Sequence, residues 1–265
     1  MEIGKDRIRI DANAKVRGEA LYPGDINLLD QVYMKVLFSQ RAHAIIEEID
    51  IRSAESMPGV LTVLTAKDVP NNRYGLGIQD QPVLCGLESN NPYGNRVLSF
   101  TDQIACVIAE TEEIAYQAVK SISVKYKDLP IISTVEEALN PNAIVIHPDH
   151  NSNILLHYQV HQGDVENAFA RCDVIVEDTY STPVQEHAYL QPEAGLAYLE
   201  DDDCITVIVA GQWVHEDQEQ IAHALNLPLE KIRIIYPAIG GAFGGREDMS
   251  VQIILALAVK KLSQL

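Results

Sequence analysis

The sequence has 265 residues, of which 47% are hydrophobic, and it carries 20 basic against 38 acidic side chains, a formal net charge of -18. A chain of this length predicts two domains, because domains average roughly 150 residues. So acidic a surface repels nucleic acid and anionic membranes, which excludes both as expected partners. It does not exclude an anionic ligand, since a local cluster of backbone amides can bind one inside an acidic protein.

The cysteines are irregularly spaced and form no CxxC pair; they are Cys85, Cys106, Cys172 and Cys204. This pattern argues against a zinc ribbon or an iron–sulfur cluster and predicts small buried thiols in a reducing compartment. The N-terminal segment has no apolar stretch of signal-peptide length, and the longest apolar run, 253–259, is far short of the roughly 20 residues of a membrane span. The sequence therefore predicts a cytoplasmic protein with no membrane partner.

Residues 1–130 alternate predicted strands and helices. Strands are predicted, in chain order, at 31–38, from 41 onward, at 60–65, at 104–111 and at 124–126. A short helix is predicted over Arg52–Ser56 and a longer one over 112–122, whose apolar residues recur at helical spacing. The stretch 70–98 is rich in Asn, Gly and Pro, which predicts an irregular excursion. Together these patterns indicate an α+β module.

A second module is predicted over 161–265, after a linker at 131–160 that has few periodic signals. Its predicted elements, in order, are a helix at 163–173, strands at 174–183, 195–200 and 205–211, a helix at 216–227, a strand at 231–237 and a helix from about Glu247. The last helix is apolar on nearly every side, which predicts burial all round. Because the sequence stops six residues after Val259, we expect a further polypeptide or another subunit to cover this helix.

The stretch AIGGAFGGREDMS (238–250) places four glycines within six positions, between a predicted strand and a predicted helix. This layout aims backbone N–H groups and the positive end of the helix at one point, which suits an anion or an oxo-rich group. The stretch is not a Walker loop, because Arg246–Glu247 stands in place of Lys–Ser/Thr, and Ala242 and Phe243 break the GxGxxG fingerprint. The residues alone leave a ligand-cradling loop and a structural turn equally open.

Several stretches carry a family resemblance, in order along almost the whole chain. GGAFGGRE (240–247) resembles the GGxFGGKE signature in the molybdenum-binding large subunit of the xanthine dehydrogenase and aldehyde oxidase family. DANAKVRGEALYPGD (11–25) resembles the start of that family's first domain, and SQRAHAIIEEIDIRSAESMPGVLTVLTAKDVP (39–70) resembles its Ser-x-x-Ala-His-Ala and Pro-Gly-Val segments. GDVENAFARCDVIVEDTYSTPVQEHAYLQPE (163–193) resembles its Gly-Asp-Val and Gln-x-His-Ala stretches. The resemblance reaches only the first part of the large subunit.

The resemblance implies an α/β hammerhead domain at 1–130, the linker at 131–160, and a first, incomplete molybdopterin-binding α+β domain at 161–265. It implies a molybdenum ion held by molybdopterin and leaves open whether the pterin carries a cytosine dinucleotide. The implied reaction is hydroxylation of an electron-poor carbon with water as the oxygen source, and the protein's share is to orient and polarise the reactants. Expected partners are the remaining half of the large subunit and chains that carry iron–sulfur clusters and FAD.

The resemblance also implies roles for individual residues. The implied cofactor-binding loop, whose backbone amides face the molybdenum ligands and the pterin, consists of Gly240, Gly241, Ala242, Phe243 and Gly244. Gln212 matches the family glutamine that hydrogen-bonds an oxo ligand of molybdenum, a role that suits a neutral amide donor. The alternative for Gln212 is a solvated amide at the end of a strand.

Glu247 matches the glutamate that lies near the substrate heterocycle in xanthine-oxidising members, whereas aldehyde-oxidising members commonly carry an apolar residue there. A carboxylate can hydrogen-bond a purine N–H or share a proton with a ring nitrogen. The alternative is an acid in the first helical turn, which stabilises a helix end by roughly 0.3–1 kcal/mol. Arg246 stands where Lys is usual and keeps the charge. A purine such as hypoxanthine or xanthine is therefore the expected heterocyclic substrate.

Two other functions remain as alternatives: an aldehyde or nicotinate-type hydroxylase component, and a non-catalytic scaffold subunit. No metal ligand is predicted, since His147 and His150 lack a third partner and Glu219 breaks the HExxH pattern that begins at His215. His187 is predicted to be a buried, hydrogen-bonded histidine. The family's general base lies near the far C-terminal end of the large subunit, so we expect this chain alone not to turn over substrate.

Overall fold

A computed structural model of the protein describes residues 3–264. Its strands are β1 (Tyr33–Phe38), β2 (Ala44–Asp50), β3 (Val60–Leu64), β4 (Arg96–Val97), β5 (Gln103–Ala109), β6 (Ser123–Asp128), β7 (Gly195–Leu199), β8 (Ile205–Val209) and β9 (Ile232–Ile235). Its α-helices are α1 (Ala12–Val16), α2 (Arg52–Glu55), α3 (Glu112–Ser121), α4 (Val135–Leu139), α5 (Val165–Phe169), α6 (Val214–Leu225) and α7 (Gln252–Leu262). This mixture confirms the predicted α+β class.

The first sheet is antiparallel and places β5 between β1 and β3. Every residue of β5 after Gln103 is buried, as a continuous apolar run predicts for a strand covered on both faces. Helix α3 packs against β1 and β5. It begins after Thr111, whose side chain accepts a hydrogen bond from the backbone N–H of Ile114, and it buries Ala115 and Ala118. The predicted helix at 112–122 is therefore confirmed.

The second sheet places β2 between β4 and β6, all antiparallel. The sequence predicted β2 and β6 but missed β4, which lies in the irregular stretch 70–98. That stretch is organised by Asn72, a buried side chain whose amide donates to the carbonyl of Leu84 and accepts from its backbone N–H. The hydrogen bonds of this buried amide thus hold the stretch together, as strand–strand hydrogen bonds hold a regular sheet together.

The third sheet places β8 between an antiparallel β7 and a parallel β9. Parallel neighbours need a crossover connection, and α6 supplies it. Ile221 and Leu225 of α6 are fully buried, and the helix ends at Asn226 in the left-handed conformation. The strand pair at 195–211, the helix at 216–227 and the strand at 231–237 are therefore confirmed in type and order.

Helix α7 begins at Gln252, so the prediction of a helix from about Glu247 is wrong. The Gln252 side-chain Oε1 accepts hydrogen bonds from the backbone N–H groups of Ser250 (2.7 Å) and Val251 (2.9 Å). These bonds satisfy backbone donors ahead of the first turn and hold the chain in a bend there. The glycine loop therefore continues, without helical structure, as far as residue 251.

Helix α7 is covered by the chain itself, which corrects the expectation that it would be left bare. Ile253, Ile254 and Leu257 are at most 3% exposed. The helix packs against α6, β7 and β8, and its apolar residues share a cluster with Leu64 and Leu84 of the first module. One core thus joins the two modules that the sequence predicted, and the boundaries proposed for them at 130 and 160 stay a prediction.

Residues Ile132–His187 form a compact unit of their own. The predicted helix at 163–173 is present only as α5, which is capped by Asp164. The prediction of a strand at 174–183 is wrong, because none of the described residues of this unit is in a strand. The segment therefore has no strand within the unit with which to form backbone hydrogen bonds. The prediction for His187 is also wrong, since its side chain is 44% exposed.

The cysteine prediction holds for three of the four thiols, since Cys85, Cys106 and Cys204 are buried and Cys172 is exposed. Burial raises the pKa of the Cys106 thiol to about 12. Between residues 3 and 264, no three His, Cys, Asp or Glu side chains are grouped to hold a metal ion. No helix of the same range is long and apolar enough to cross a membrane.

We expect Leu225→Ala to destabilise the protein by about 2–5 kcal/mol, because it removes a fully buried side chain from the core beneath the third sheet. Leu29→Ala is the matched control, since that leucine is 92% exposed and should change stability by less than about 0.5 kcal/mol. Urea unfolding followed by circular dichroism measures both. Equal midpoints for the two variants would contradict the core assignment.

Candidate functional site

The glycine loop and Gln212 meet at one edge of the third sheet. Gln212 follows β8 and the loop follows β9, and these two strands run parallel, so their C-terminal ends lie side by side. Loops beyond the carboxyl ends of parallel strands are common positions for ligands. The edge therefore brings together two sequence-predicted elements that are about 30 residues apart along the chain.

The loop backbone adopts conformations that side chains disfavour. Gly241 has φ +107° and Gly244 has φ +89°. Phe243 is also left-handed, with φ +54°, and its ring is 77% exposed. A non-glycine residue held in this region is strained, and such strain is found where the surrounding structure enforces it.

The segment before β7 packs closely behind the loop. A Cβ atom on Gly240 would lie 2.6 Å from the Cβ of Gln191, and one on Gly241 would lie 3.1 Å from the Cβ of Tyr189. The backbone N–H of Gly240 donates to the Gln191 Oε1 at 2.7 Å. The glycines are thus required for close approach as well as for backbone conformation. Gln191, for which the sequence predicted no role, holds the loop from behind.

Gln212 is tied to the loop by three hydrogen bonds. Its side-chain Oε1 accepts from the backbone N–H of Gly244 (3.1 Å) and of Arg246 (3.2 Å), and its own backbone N–H donates to the Arg246 carbonyl (3.0 Å). Two N–H donors on the same atom fix which end of the amide is oxygen. The Nε2 group of this exposed residue donates to no protein acceptor within residues 3–264. It is therefore the donor that Gln212 can offer a ligand.

Arg246 is a buried cation beneath the loop, 2% exposed. Its guanidinium lies 4.0 Å from the ring centre of Tyr189, and its Nη2 donates to the Gln191 carbonyl at 2.5 Å. Its Nε lies 3.2 Å from the Glu193 Oε1, an ion pair whose angle is poor for a hydrogen bond. Glu193 also accepts from the Tyr189 hydroxyl and the Ser250 hydroxyl. The sequence indicated only that Arg246 keeps a charge, and it missed this anchoring group.

The loop presents backbone donors with no protein partner. Within the described residues, the N–H groups of Gly241, Ala242 and Phe243 donate to no protein acceptor, while the N–H groups of Gly240 and Gly244 are used by Gln191 and Gln212. A cavity of about 340 Å³, lined in part by Gly240, adjoins the loop. Unpaired backbone amides in a glycine loop fit a group that offers oxygen acceptors. The positive end of α7 adds nothing here, because that helix starts beyond the loop.

Glu247 is half-buried in a bend five residues before α7. It therefore has no role in a first helical turn, and that alternative is wrong. Its neighbour Asp248 is engaged, since the carboxylate accepts from the Gln81 amide at 2.7 Å.

A buried acid, Asp217, lies in the first turn of α6 and was not predicted from the sequence. It is 0% exposed, and its Oδ2 accepts from the Tyr236 hydroxyl (2.6 Å) and from the Gln252 amide (3.3 Å). Its Oδ1 has no partner among residues 3–264. Burial raises the pKa of Asp217 to about 6, and the two donors offset this only in part. Nothing in the local pattern HEDQEQ distinguishes this acid from its exposed neighbours.

Two family models match the chain, and together they take in most of it. The aldehyde oxidase and xanthine dehydrogenase a/b hammerhead domain matches residues 17–130, and the molybdopterin cofactor-binding domain matches residues 146–265. The chain belongs to the xanthine dehydrogenase and aldehyde oxidase family. This confirms the resemblance that the sequence motifs carried.

The chain is similar to several named members of this family. It is 42% identical, over 96% of its length, to a probable xanthine dehydrogenase subunit of Bacillus subtilis, and 37% identical, also over 96%, to the nicotinate dehydrogenase large molybdopterin subunit of Eubacterium barkeri. The chain spans 33% and 58% of the lengths of these two proteins. Its fold matches 29% of the aldehyde oxidoreductase of Desulfovibrio gigas over 96% of this chain, with a TM-score of 0.83 and 28% identity.

We expect Asp217→Asn to change how stability depends on pH. The folded pKa of about 6 lies above the ordinary value of 3.8, so the contribution of Asp217 to stability is complete below pH 4 and is lost as the pH rises to 6. The free energy of unfolding of the wild type should fall, relative to that of the variant, by about 2 kcal/mol between pH 4 and pH 6 and by about 3 kcal/mol in total at higher pH. Urea unfolding at a series of pH values measures the difference.

Glu219→Gln is the control for this pH dependence, because it removes an exposed carboxylate from the same helix. Its stability should run parallel to that of the wild type between pH 4 and pH 6. Parallel curves for Asp217→Asn and the wild type would contradict a buried, proton-binding carboxyl.

Proposed function

We propose that this chain is the molybdenum-cofactor-binding component of a xanthine dehydrogenase-type hydroxylase that oxidises a purine, such as hypoxanthine or xanthine, with water as the oxygen source. One observation carries the proposal: the unpaired N–H groups of Gly241, Ala242 and Phe243 lie in the loop to which the Gln212 amide is bonded. Membership of the family and the match to the molybdopterin cofactor-binding domain support it.

The residues at this edge of the third sheet fit the cofactor because they offer hydrogen-bond donors to it. The loop from Gly240 to Gly244 would hold it with backbone N–H groups, and Gln212 would donate from Nε2 to an oxo group. Neutral donors polarise an oxo group without delivering a proton to it. When bound, molybdenum–molybdopterin supplies the two-electron redox chemistry by which oxygen from water enters a C–H bond. The chain's own contribution is a rigid array of donors, held in place by Arg246 and Gln191.

Glu247 is the residue we propose for substrate orientation, and with Gln212 it makes up the proposed catalytic pair. This half-buried residue lies three positions after Gly244, and its carboxylate could accept from a purine N–H. The likeness to the nicotinate dehydrogenase subunit favours a second candidate, a nicotinate-type hydroxylase, since that substrate is also an electron-poor heterocycle.

The assembled enzyme is part of the proposal. We propose a cytoplasmic complex with the remaining half of the large subunit and with partner chains that carry iron–sulfur clusters and FAD. The named subunits among the relatives support a multi-subunit enzyme. We propose further that the chain alone is inactive, because the family's general base is expected in a part of the large subunit that this chain does not match.

We expect Gly241→Ala to lower the molybdenum content of the assembled enzyme severalfold. The new Cβ would lie 3.1 Å from the Tyr189 Cβ, and alanine at φ +107° is strained, so the loop must move. Gly77→Ala is the matched control, because Gly77 has φ +79° with open space around it and lies outside the loop. Metal analysis of the purified complexes measures the loss.

Two outcomes of this experiment would contradict the proposal. Equal molybdenum in Gly241→Ala and the wild type would show that the loop does not hold the cofactor. Persistent absence of molybdenum from the wild-type complex, with every partner present, would support a scaffold subunit instead.

We expect Glu247→Ala to lower kcat/KM for hypoxanthine roughly tenfold to a hundredfold, since a hydrogen bond to a charged group contributes about 1.5–3 kcal/mol. Turnover of an aromatic aldehyde should change little. Steady-state kinetics with hypoxanthine, nicotinate and the aldehyde separate the candidate substrates. The control is Asp201→Ala, which removes an exposed acid from the turn between β7 and β8. Purine turnover that is indifferent to Glu247→Ala would exclude the substrate role.

A further inference from the structure

A buried polar group lies beneath the turn that carries Gln212, and the proposed function does not use it. It consists of Asp217 on α6, Tyr236 just after β9 and Gln252 at the start of α7. Three elements thus converge on one carboxylate through the hydrogen bonds from Tyr236 and Gln252. Burying a charge is costly, so a pair of neutral apolar residues would have packed here with a smaller desolvation penalty.

The backbone before Gln212 rests directly on this group. A Cβ atom on Gly211 would lie 2.2 Å from the Tyr236 hydroxyl oxygen and 2.9 Å from the Asp217 Oδ2. Any side chain at this position would displace the Tyr236–Asp217 pair. Glycine is therefore required at 211 because the pair lies against the backbone.

The backbone after Gln212 is hydrogen-bonded to the same group. The Tyr236 hydroxyl lies near the Trp213 backbone N–H and donates to the Asp217 carboxylate at 2.6 Å. The Trp213 carbonyl in turn accepts from the backbone N–H of Asp217 at 2.9 Å. The backbone before Gln212 thus lies against the Tyr236–Asp217 pair, and the backbone after it is bonded to Asp217.

We propose that Asp217, together with Tyr236, is a positioning residue for Gln212: the pair lies against the backbone at Gly211, Asp217 is bonded to the Trp213 carbonyl, and these contacts fix where the Gln212 side-chain amide meets the glycine loop. The relevance of this to the cofactor rests on the proposed function, whereas the mechanical link does not. A charged acceptor suits the task because hydrogen bonds to a carboxylate are shorter and stronger than those to a neutral oxygen.

The link makes the position of Gln212 depend on the charge of Asp217. Facing the carboxyl are Tyr236 beyond β9 and Gln252 on α7, both donors, and the loop residue Asp248, whose negative charge opposes ionisation. When Asp217 takes up a proton, the Tyr236 hydroxyl loses its anionic acceptor, and the backbone packed against the pair at 211–213 adjusts. The Trp213 amide should therefore report the titration.

A single NMR signal tests the link directly. Trp213 is the one tryptophan in the 265-residue sequence, so labelling the chain with ¹⁵N-tryptophan gives one backbone amide resonance. We expect its shift to step near pH 6 in the wild type and in the control Glu219→Gln. The step should vanish in Asp217→Asn and shrink by half or more in Tyr236→Phe, which keeps the carboxyl but removes the bridge.

The same variants in the assembled enzyme test the consequence for Gln212. Outer partners of this kind are worth roughly tenfold to a hundredfold in activity, and we expect a loss of that size in kcat from Asp217→Asn with molybdenum content unchanged. Because Asp217 acts through Gln212, the double variant with Gln212→Ala should lose no more than Gln212→Ala alone.

Each outcome of the NMR and kinetic experiments either supports or contradicts the proposed role of Asp217. A wild-type Trp213 signal without a step near pH 6, or a step that persists in Asp217→Asn, overturns the link. Additive losses in the double variant overturn the role toward Gln212 even if the NMR step is found. If Asp217→Asn fails to fold, Tyr236→Phe carries both measurements. A complex without molybdenum would contradict the proposed function, but it would not change the conclusion from the NMR measurement.

Discussion

The hydrogen bonds from the glycine loop to the Gln212 side chain are the constraint on which the site depends. One amide oxygen receives the N–H groups of Gly244 and Arg246, and so joins the end of β8 to the loop beyond β9. This bonding occupies the amide oxygen, while the Nε2 group and the N–H groups of 241–243 have no protein partners in the described part of the chain. The same contacts thus build the loop and define the donors that it offers to a ligand.

Two buried charged residues, Arg246 and Asp217, support this arrangement, and their neighbours compensate these charges to different extents. Arg246 is paired with Glu193 and stacked on Tyr189, so its charge is largely compensated within the protein. Asp217 receives hydrogen bonds only from neutral donors and faces the negative charge of Asp248, so burial shifts its pKa upward without a compensating cation. The cation is suited to permanent anchoring, whereas the acid is suited to a contact that changes with protonation.

Much of the fold could be predicted because its signals are local. The spacing of apolar residues identified α3 and α6, and the apolar run at 104–111 identified β5 as a strand. The wrong predictions concern features that are decided by contacts between residues far apart in the sequence. The start of α7 is set by the Gln252 side chain, and the apolar stretch 174–183 forms no strand in the described part of its unit, where no partner strand is present. The cover over α7 comes partly from Leu64 and Leu84, far away in the chain.

The sequence by itself determined the family, the α+β class and the loop at 240–244, because glycine spacing and apolar periodicity are properties of neighbouring residues. Only the tertiary structure decided that Gln191, Gln212 and Arg246 meet, that Glu247 lies outside any helix, and that Asp217 is buried while Glu219 is exposed. Such facts depend on how parallel strands bring distant segments to one edge. Hydrogen bonding and desolvation then act on groups that no local pattern relates.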